Sequence, residues 1–277
     1  MIKRMVSAGA RAFLVALVIA MPAMMLPGVT VDNAQMVALL ALVAAVLTFV
    51  EYFSVYPSLL EFRDAPPYNR MRFLALFVTI FVMCLITRGQ MFPTTLTELL
   101  TRIGGTVGTA MDFPFSPVHL MVLLAHEDAP IEKINLLRTS AGLAYVVSLL
   151  ALLVFVVFVR LLNWPIRHGA FNFWVNLPLF DPTAGGDILN RLKRDSHVNV
   201  VLGFLLPFLI PAILKSATVF AYEIPLTDPQ TLIWTMSAWA FLPASLIMRG
   251  VALMRIAELI EERRRRAYAQ ADLHAPA

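Results

Sequence analysis

Two ionisable residues lie inside long apolar runs: Lys215 in LLPFLIPAILKS and Glu51 in VLTFVEYF. A charge held in hydrocarbon is costly, so each is a candidate for an ion path, a proton relay or a contact to a charged solute. Lys215 follows Pro207 and Pro211. Each proline withdraws a backbone donor and crowds the preceding turn, which predicts a kinked helix. The carbonyls freed at such a kink can line a cavity, and a lysine one turn on would hold an anionic solute. This is the transporter reading of the sequence. A plainer role is available to both residues. Their depths differ by roughly 13 Å on a hydrocarbon core of about 30 Å, so they do not pair with each other. Glu51 is instead within reach of Arg160 or Arg249, and Lys215 can snorkel outward toward Glu223 or an acidic group of residues 89–138. Prolines are also frequent in ordinary spanning helices.

His119 and His126 in PVHLMVLLAHE share a helical face, and Glu127 and Asp128 follow them. Two turns of helix separate the histidines by about 10 Å, too far to share one ion with bonds of about 2 Å. No metal site is expected, and solvated histidines on an interfacial helix are the simpler reading. A chemical alternative is an enzyme acting on lipid at the outer face through these four residues. TAGGD, at 183–187, lacks the Lys-Ser/Thr that completes a phosphate loop. The lone cysteine, Cys84, excludes an intramolecular disulfide or a cysteine cluster. No catalytic constellation and no cofactor are expected.

These residues must be positioned by membrane helices. The chain is 59% hydrophobic and 14% charged, with mean hydropathy +0.76. Soluble domains carry about 25% charge. An all-α, multi-pass integral membrane protein with a single membrane domain is predicted. Six segments have the length and apolarity to cross: 12–31, 34–56, 73–87, 139–159, 198–222 and 231–248. The third is short, and Arg72 and Arg88 bracket it and can snorkel outward. Asp32 with Gln35 predicts a capping box for the second; Asp228 with Pro229 predicts a cap and first-turn proline for the sixth.

The basic residues number 18 Arg and 4 Lys, and they alternate along the chain. The N-terminus, 57–72, 160–197 and the segment from Arg249 hold 17 of them, the other connections hold four, and Lys215 lies within a span. This bias predicts both termini in the cytoplasm. Lys3, Arg4 and Arg11 before an apolar run also fit a signal peptide, but no small-x-small cleavage site follows, and a retained anchor is expected. The arginine preference hints at a GC-rich bacterial genome, hence a bacterial inner membrane.

Outside the spans, Thr95 with Glu98 predicts a capped amphipathic helix bearing Leu96, Leu99, Leu100 and Ile103 on one face and ended by Gly104-Gly105. It is expected to lie flat on the outer leaflet, within an outer segment 89–138 whose second helix starts at Ser116-Pro117. In EFRDAPPYNRMRF, Ser58 and Glu61 predict a capped turn, and Pro66-Pro67 an extended stop. Aromatic residues Trp164, Phe171, Phe173, Trp174 and Phe180 read as an interfacial belt. Asp187 is placed to cap a short helix carrying Arg191, Lys193 and Arg194 toward anionic lipid. Residues 249–277 read as a basic cytoplasmic helix with Glu261–Arg265 and Glu262–Arg266 pairs. The expected partners are anionic lipid headgroups and other membrane subunits, not nucleic acid. The expected role is a non-enzymatic accessory, scaffold or assembly subunit.

Overall fold

A computed structural model describes residues 1–125, 129–162, 164–165, 171–180, 187–218 and 225–273. Its regular elements are all helical: α1 Ile2–Met25, α2 Val31–Phe53, α3 Tyr68–Gly89, α4 Thr95–Met111, α5 Pro117–Val122, α6 Ile131–Leu161, α7 Phe173–Asn176, α8 Ile188–Thr218 and α9 Pro229–Leu273. By length and composition, six described helices suffice to cross a membrane: α1, α2, α3, α6, α8 and α9. The chain is a multi-pass helical membrane protein.

These six helices coincide with the expected segments, but several borders move. The first starts at Ile2 rather than residue 12 and ends at Met25, before Pro27-Gly28, where Gly28 takes φ 78°. Lys3, Arg4 and Arg11 are therefore helical. The cap of α2 is Thr30, whose hydroxyl accepts the Asn33 N–H, so Asp32 belongs to the first turn. The short third segment lengthens to Tyr68–Gly89, with α3 starting directly after Pro67, whose carbonyl accepts the Met71 N–H. Pro67 has ψ 14°, so the diproline does not end in extended chain. At α9 the expected start is found: Asp228 Oδ2 accepts the Thr231 N–H at 2.8 Å. This helix continues through the basic tail, where Arg265–Glu261 and Arg266–Glu262 pair at 2.8 and 3.8 Å.

Residues 89–138 contain α4 and α5. The cap of α4 is Thr94 with Thr97, a reciprocal pair one residue earlier than Thr95 with Glu98. Gly104-Gly105 does not end this helix, which runs on to Met111. The reason lies in packing. A Cβ on Gly142 of α6 would sit 2.5 Å from Gly108 Cα, and one on Gly108 would sit 2.8 Å from the Arg138 carbonyl oxygen. Missing side chains let the two backbones touch, the usual basis of close helix crossings in lipid. Thr97, Gly104 and Gly108 thus face the bundle, while Leu96, Leu99 and Ile103 point away from it. The α5 start is as expected, with the Ser116 hydroxyl accepting the His119 N–H.

Two apolar clusters hold the bundle together. One centres on Val18, Met21, Ile80, Met83, Met121 and Trp239. The other, at the end where the basic segments gather, centres on Phe62, Tyr68, Phe155, Trp164, Leu192 and Leu253. Between α8 and α9 the Ser196 hydroxyl donates to the Gly250 carbonyl at 2.7 Å. Among the helices, α2 packs on α1 alone, and 6% of its most apolar stretch is buried against 56% for α9.

The glycine contact yields a comparison within one helix. Gly105 has open space around its missing Cβ, whereas Gly108 meets backbone. Gly105→Ala is expected to be neutral or to stabilise by up to about 1 kcal/mol through helix propensity. Gly108→Ala is expected to destabilise by about 1–3 kcal/mol through overpacking. Thermal unfolding of both variants in the same detergent checks the difference.

Candidate functional site

At the basic end, residues 57–67 fold into a connection that consumes its own charges. Glu51 accepts the N–H groups of Ser58, Leu59 and Leu60 at 2.9–3.1 Å. It pairs with neither Arg160 nor Arg249. Spending the Ser58 N–H on this carboxylate replaces the expected Ser58/Glu61 turn. Arg63 runs the other way and donates to the carbonyls of Glu51, Ser54 and Val55 at 2.8–3.1 Å. It therefore closes the carbonyl end of α2, where cations are favoured. Glu61 accepts Nε and Nη2 of Arg249, at 2.6 and 2.7 Å, rather than pairing with an arginine of its own loop. Arg160 pairs with Glu258 at 3.6 Å.

Phe62 is the plug of this connection. It is 1% exposed at φ 54°, a left-handed backbone that an aromatic residue adopts only at a cost of about 1–2 kcal/mol. Burial against Tyr68, Trp164 and Phe171 offsets that cost. Its N–H donates to the Asn176 carbonyl, and the buried Asn176 side chain accepts the Asp64 N–H. The Trp164 indole donates to the Ala65 carbonyl at 3.3 Å. Trp164 and Phe180 are thus buried rather than part of an interfacial belt, while Trp174 stays exposed. TAGGD, apart from Asp187, lies outside the described residues. The Asp187 carboxylate accepts the Leu189 N–H as the predicted cap, but the helix it opens is the 31-residue spanning α8 rather than a short separate one, and Arg264 also binds the carboxylate at 2.9 Å. That Arg264 bond is the main reason its carboxyl sits below the ordinary range.

At the opposite end, Lys215 is exposed and donates to the Leu123 carbonyl at 3.0 Å, tying α8 to the end of α5. Glu223 lies outside the described residues. Pro211 deprives the Pro207 carbonyl of its helical donor, and the Trp239 indole N–H supplies one at 3.0 Å. That carbonyl is therefore hydrogen-bonded within the bundle rather than left open by the proline. His126, Glu127 and Asp128 lie outside the described residues. His119 does not sit alone: its Nδ1 lies 2.7 Å from Asp112, whose other oxygen accepts Arg138 Nε at 2.6 Å. Arg138 also donates to Asn135 at 2.7 Å. Asp112 and Arg138 escaped the sequence reading because their separation of 26 residues follows no helical or capping pattern. The cluster joins the end of α4 to α5 and α6, and no nucleophile is placed beside the imidazole by these bonds. Among the described residues, no group of three His, Cys, Asp or Glu side chains is arranged to hold a metal.

A third constellation was not singled out from sequence. Arg4, Ser7 and Arg11 are spaced to share one face of α1, and they face Tyr52, Val55, Arg63, Asp64 and Val175 across a cleft of about 460 Å³. Arg4 donates to the Ser54 carbonyl and Arg11 to the Ser7 hydroxyl. The Arg11 guanidinium also sits 4.4 Å from the centre of the Tyr52 ring. Arg70 lines a smaller adjoining cleft with Arg11, Tyr52 and Arg63. The spacing of Arg4, Ser7 and Arg11 was legible in sequence, but their facing partners were not. No protein-family model, curated protein or solved structure matches this chain.

Burial by itself would raise the Asp112 carboxyl, but the bonds and charge of Arg138 and His119 outweigh it and hold the carboxyl below its ordinary 3.8. The pair therefore stabilises the fold fully above that ordinary value, and the contribution is lost as pH falls through the lowered one. Asp112→Asn is expected to cost about 1.5–3 kcal/mol at pH 7, the usual worth of charge-assisted hydrogen bonds. Melting curves at pH 7 and pH 3 should show the gap between wild type and variant narrowing in acid.

Proposed function

We propose that this protein is a non-enzymatic accessory, scaffold or assembly subunit of a larger complex in a bacterial inner membrane. The observation that carries this reading is how the charges bordering the bundle are used. Glu51 and Arg63 bind backbone, Glu61 binds Arg249, Arg72 donates to Ser245, and Lys215 binds the Leu123 carbonyl. Each contact fastens one part of the chain to another. A transporter of anions through α8 is less favoured, because the Pro207 carbonyl is engaged by Trp239. The Asp112–His119–Arg138 cluster likewise reads as a brace between helices rather than as an outer-face lipid enzyme.

A scaffold needs a face for its partner. Leu39, Leu42, Val43, Val46 and Val50 recur along one outward face of α2 and are exposed, and the apolar stretch of α2 is the least buried among the spans. We assign the occupant of this face as a spanning helix of another subunit. The Leu96, Leu99 and Ile103 face of α4 is assigned to lipid of the outer leaflet. The grouping of the N-terminus, 57–67, the end of α6 and the start of α8 at one end supports both termini in the cytoplasm. It likewise supports a single membrane domain with residues 249–277 as a cytoplasmic basic tail.

Purification from the native membrane in mild detergent should yield a second membrane protein near one-to-one with this chain. Val43→Trp with Val46→Trp is expected to lose that partner while leaving the melting temperature of the purified chain unchanged. A lone monomer across growth conditions overturns the proposal. Orientation is read separately: reporters fused to either terminus should be active only as cytoplasmic fusions, and activity on the far side overturns that assignment.

A further inference from the structure

The arginine cleft between α1 and the end of α2 plays no part in the scaffold reading, and it has the chemistry of a ligand site. We propose that it binds a phosphate group, carried by an anionic phospholipid headgroup or by a soluble phosphate compound. Three guanidinium groups line it, from Arg4, Arg11 and Arg63, against one carboxylate, Asp64. Asp64 already contacts Arg63 at 3.2 Å, and its side chain is 60% exposed at the rim. Arg70 adds a further cation from the adjoining cleft. Like charges gathered this closely repel unless an anion sits among them, and planar guanidinium forks match the oxygen geometry of phosphate. Ser7 and Tyr52 bring hydroxyl groups to the same walls.

The arginines differ in what they can give. The Arg63 side chain is 6% exposed and is committed to three carbonyls, so it is a fixed charge beneath the cleft. Arg4 and Arg11 approach from α1 and make fewer bonds to the protein, which leaves donors for a ligand. The volume, about 460 Å³, falls among small-molecule sites and exceeds the need of a bare phosphate. Exposed Met5 and Val6 of α1 adjoin Arg4 and Ser7 along the chain, and exposed Val55, just beyond the end of α2, lines the cleft. An acyl chain therefore has apolar surface beside the charged pocket, at the level where basic side chains meet anionic headgroups.

The test uses the full chain in mild detergent with two arms. In the first, native mass spectrometry counts phosphatidylglycerol retained from an equal mixture with phosphatidylcholine. In the second, delipidated protein is titrated with inorganic phosphate or glycerol phosphate, and the melting temperature is followed. Arg4→Gln with Arg11→Gln is expected to lower affinity about fivefold per arginine in the arm that reports the true source. Arg102→Gln, at the other end of the bundle, controls for loss of charge alone and is expected to change nothing. Arg11→Gln by itself, which leaves the Arg4 contact to Ser54 in place, carries the test if the double variant does not fold. Selective loss in the first arm identifies a lipid headgroup, and in the second a soluble phosphate. Unchanged binding in both arms, or equal loss with Arg102→Gln, overturns the proposal.

Discussion

A backbone that leaves its helix at the edge of hydrocarbon must find partners for the hydrogen bonds it gives up, because lipid offers none. The end of α2 meets that demand with two side chains facing opposite ways. Arg63 binds the Glu51 carbonyl in the last turn of α2 and the Ser54 carbonyl just beyond it, and Glu51 reaches out of α2 to gather the amides of residues 58–60. Each charge satisfies several backbone groups, so the chain can turn sharply without opening a polar gap in the apolar edge. The rest of the basic end depends on this exchange. Once 58–60 is held, Glu61 is aimed at Arg249 of α9, and Phe62 is driven into the aromatic cluster against Trp164 and Tyr68.

The opposite end solves the same problem with different parts. There the helices approach through missing side chains, as at Gly108 and Gly142, and Asp112, His119 and Arg138 brace one another. Asp112 sits between His119 and Arg138, so one carboxylate ties three helical segments. Lys215 adds a bond from α8 to the end of α5. The proline-bearing α8 is stabilised by the same economy, with the Trp239 indole closing the carbonyl that Pro211 leaves open. Polar side chains within this bundle mostly repair backbone, which is the physical basis for reading it as a scaffold.

Charge that remains after such repair is informative. Arg11 donates within α1 to Ser7, and Arg4 shares the Ser54 carbonyl with Arg63, which also binds the Glu51 and Val55 carbonyls. Their gathering beside Tyr52 concentrates positive charge at the basic end of the bundle, and the proposed phosphate site rests on that charge. A face of α2 without a neighbouring helix and a basic cleft at its end thus belong to the same peripheral hairpin, α1 with α2.

Local patterns were readable where the physics is local. Apolar length marks six spans, Asp228 caps α9, Asp187 caps α8, and the four-residue spacing of Glu261 and Arg265 yields their pair. Caps slipped by a residue or two where neighbouring side chains can both serve, as with Thr94 for Thr95 and Thr30 for Asp32. Gly104-Gly105 misled because glycine ends helices in water but also lets them touch in lipid, and only the neighbour decides which. The sequence by itself determined the membrane class, the number of apolar spans and the uneven distribution of arginine, because these follow from composition and spacing along one chain. Tertiary structure alone decided that Glu61 meets Arg249 across 188 residues, that Asp112 meets Arg138, and that Arg4 and Arg11 face Arg63. Ion pairing between distant segments carries no periodic trace in sequence, since a charge accepts any opposite partner that folding brings within reach.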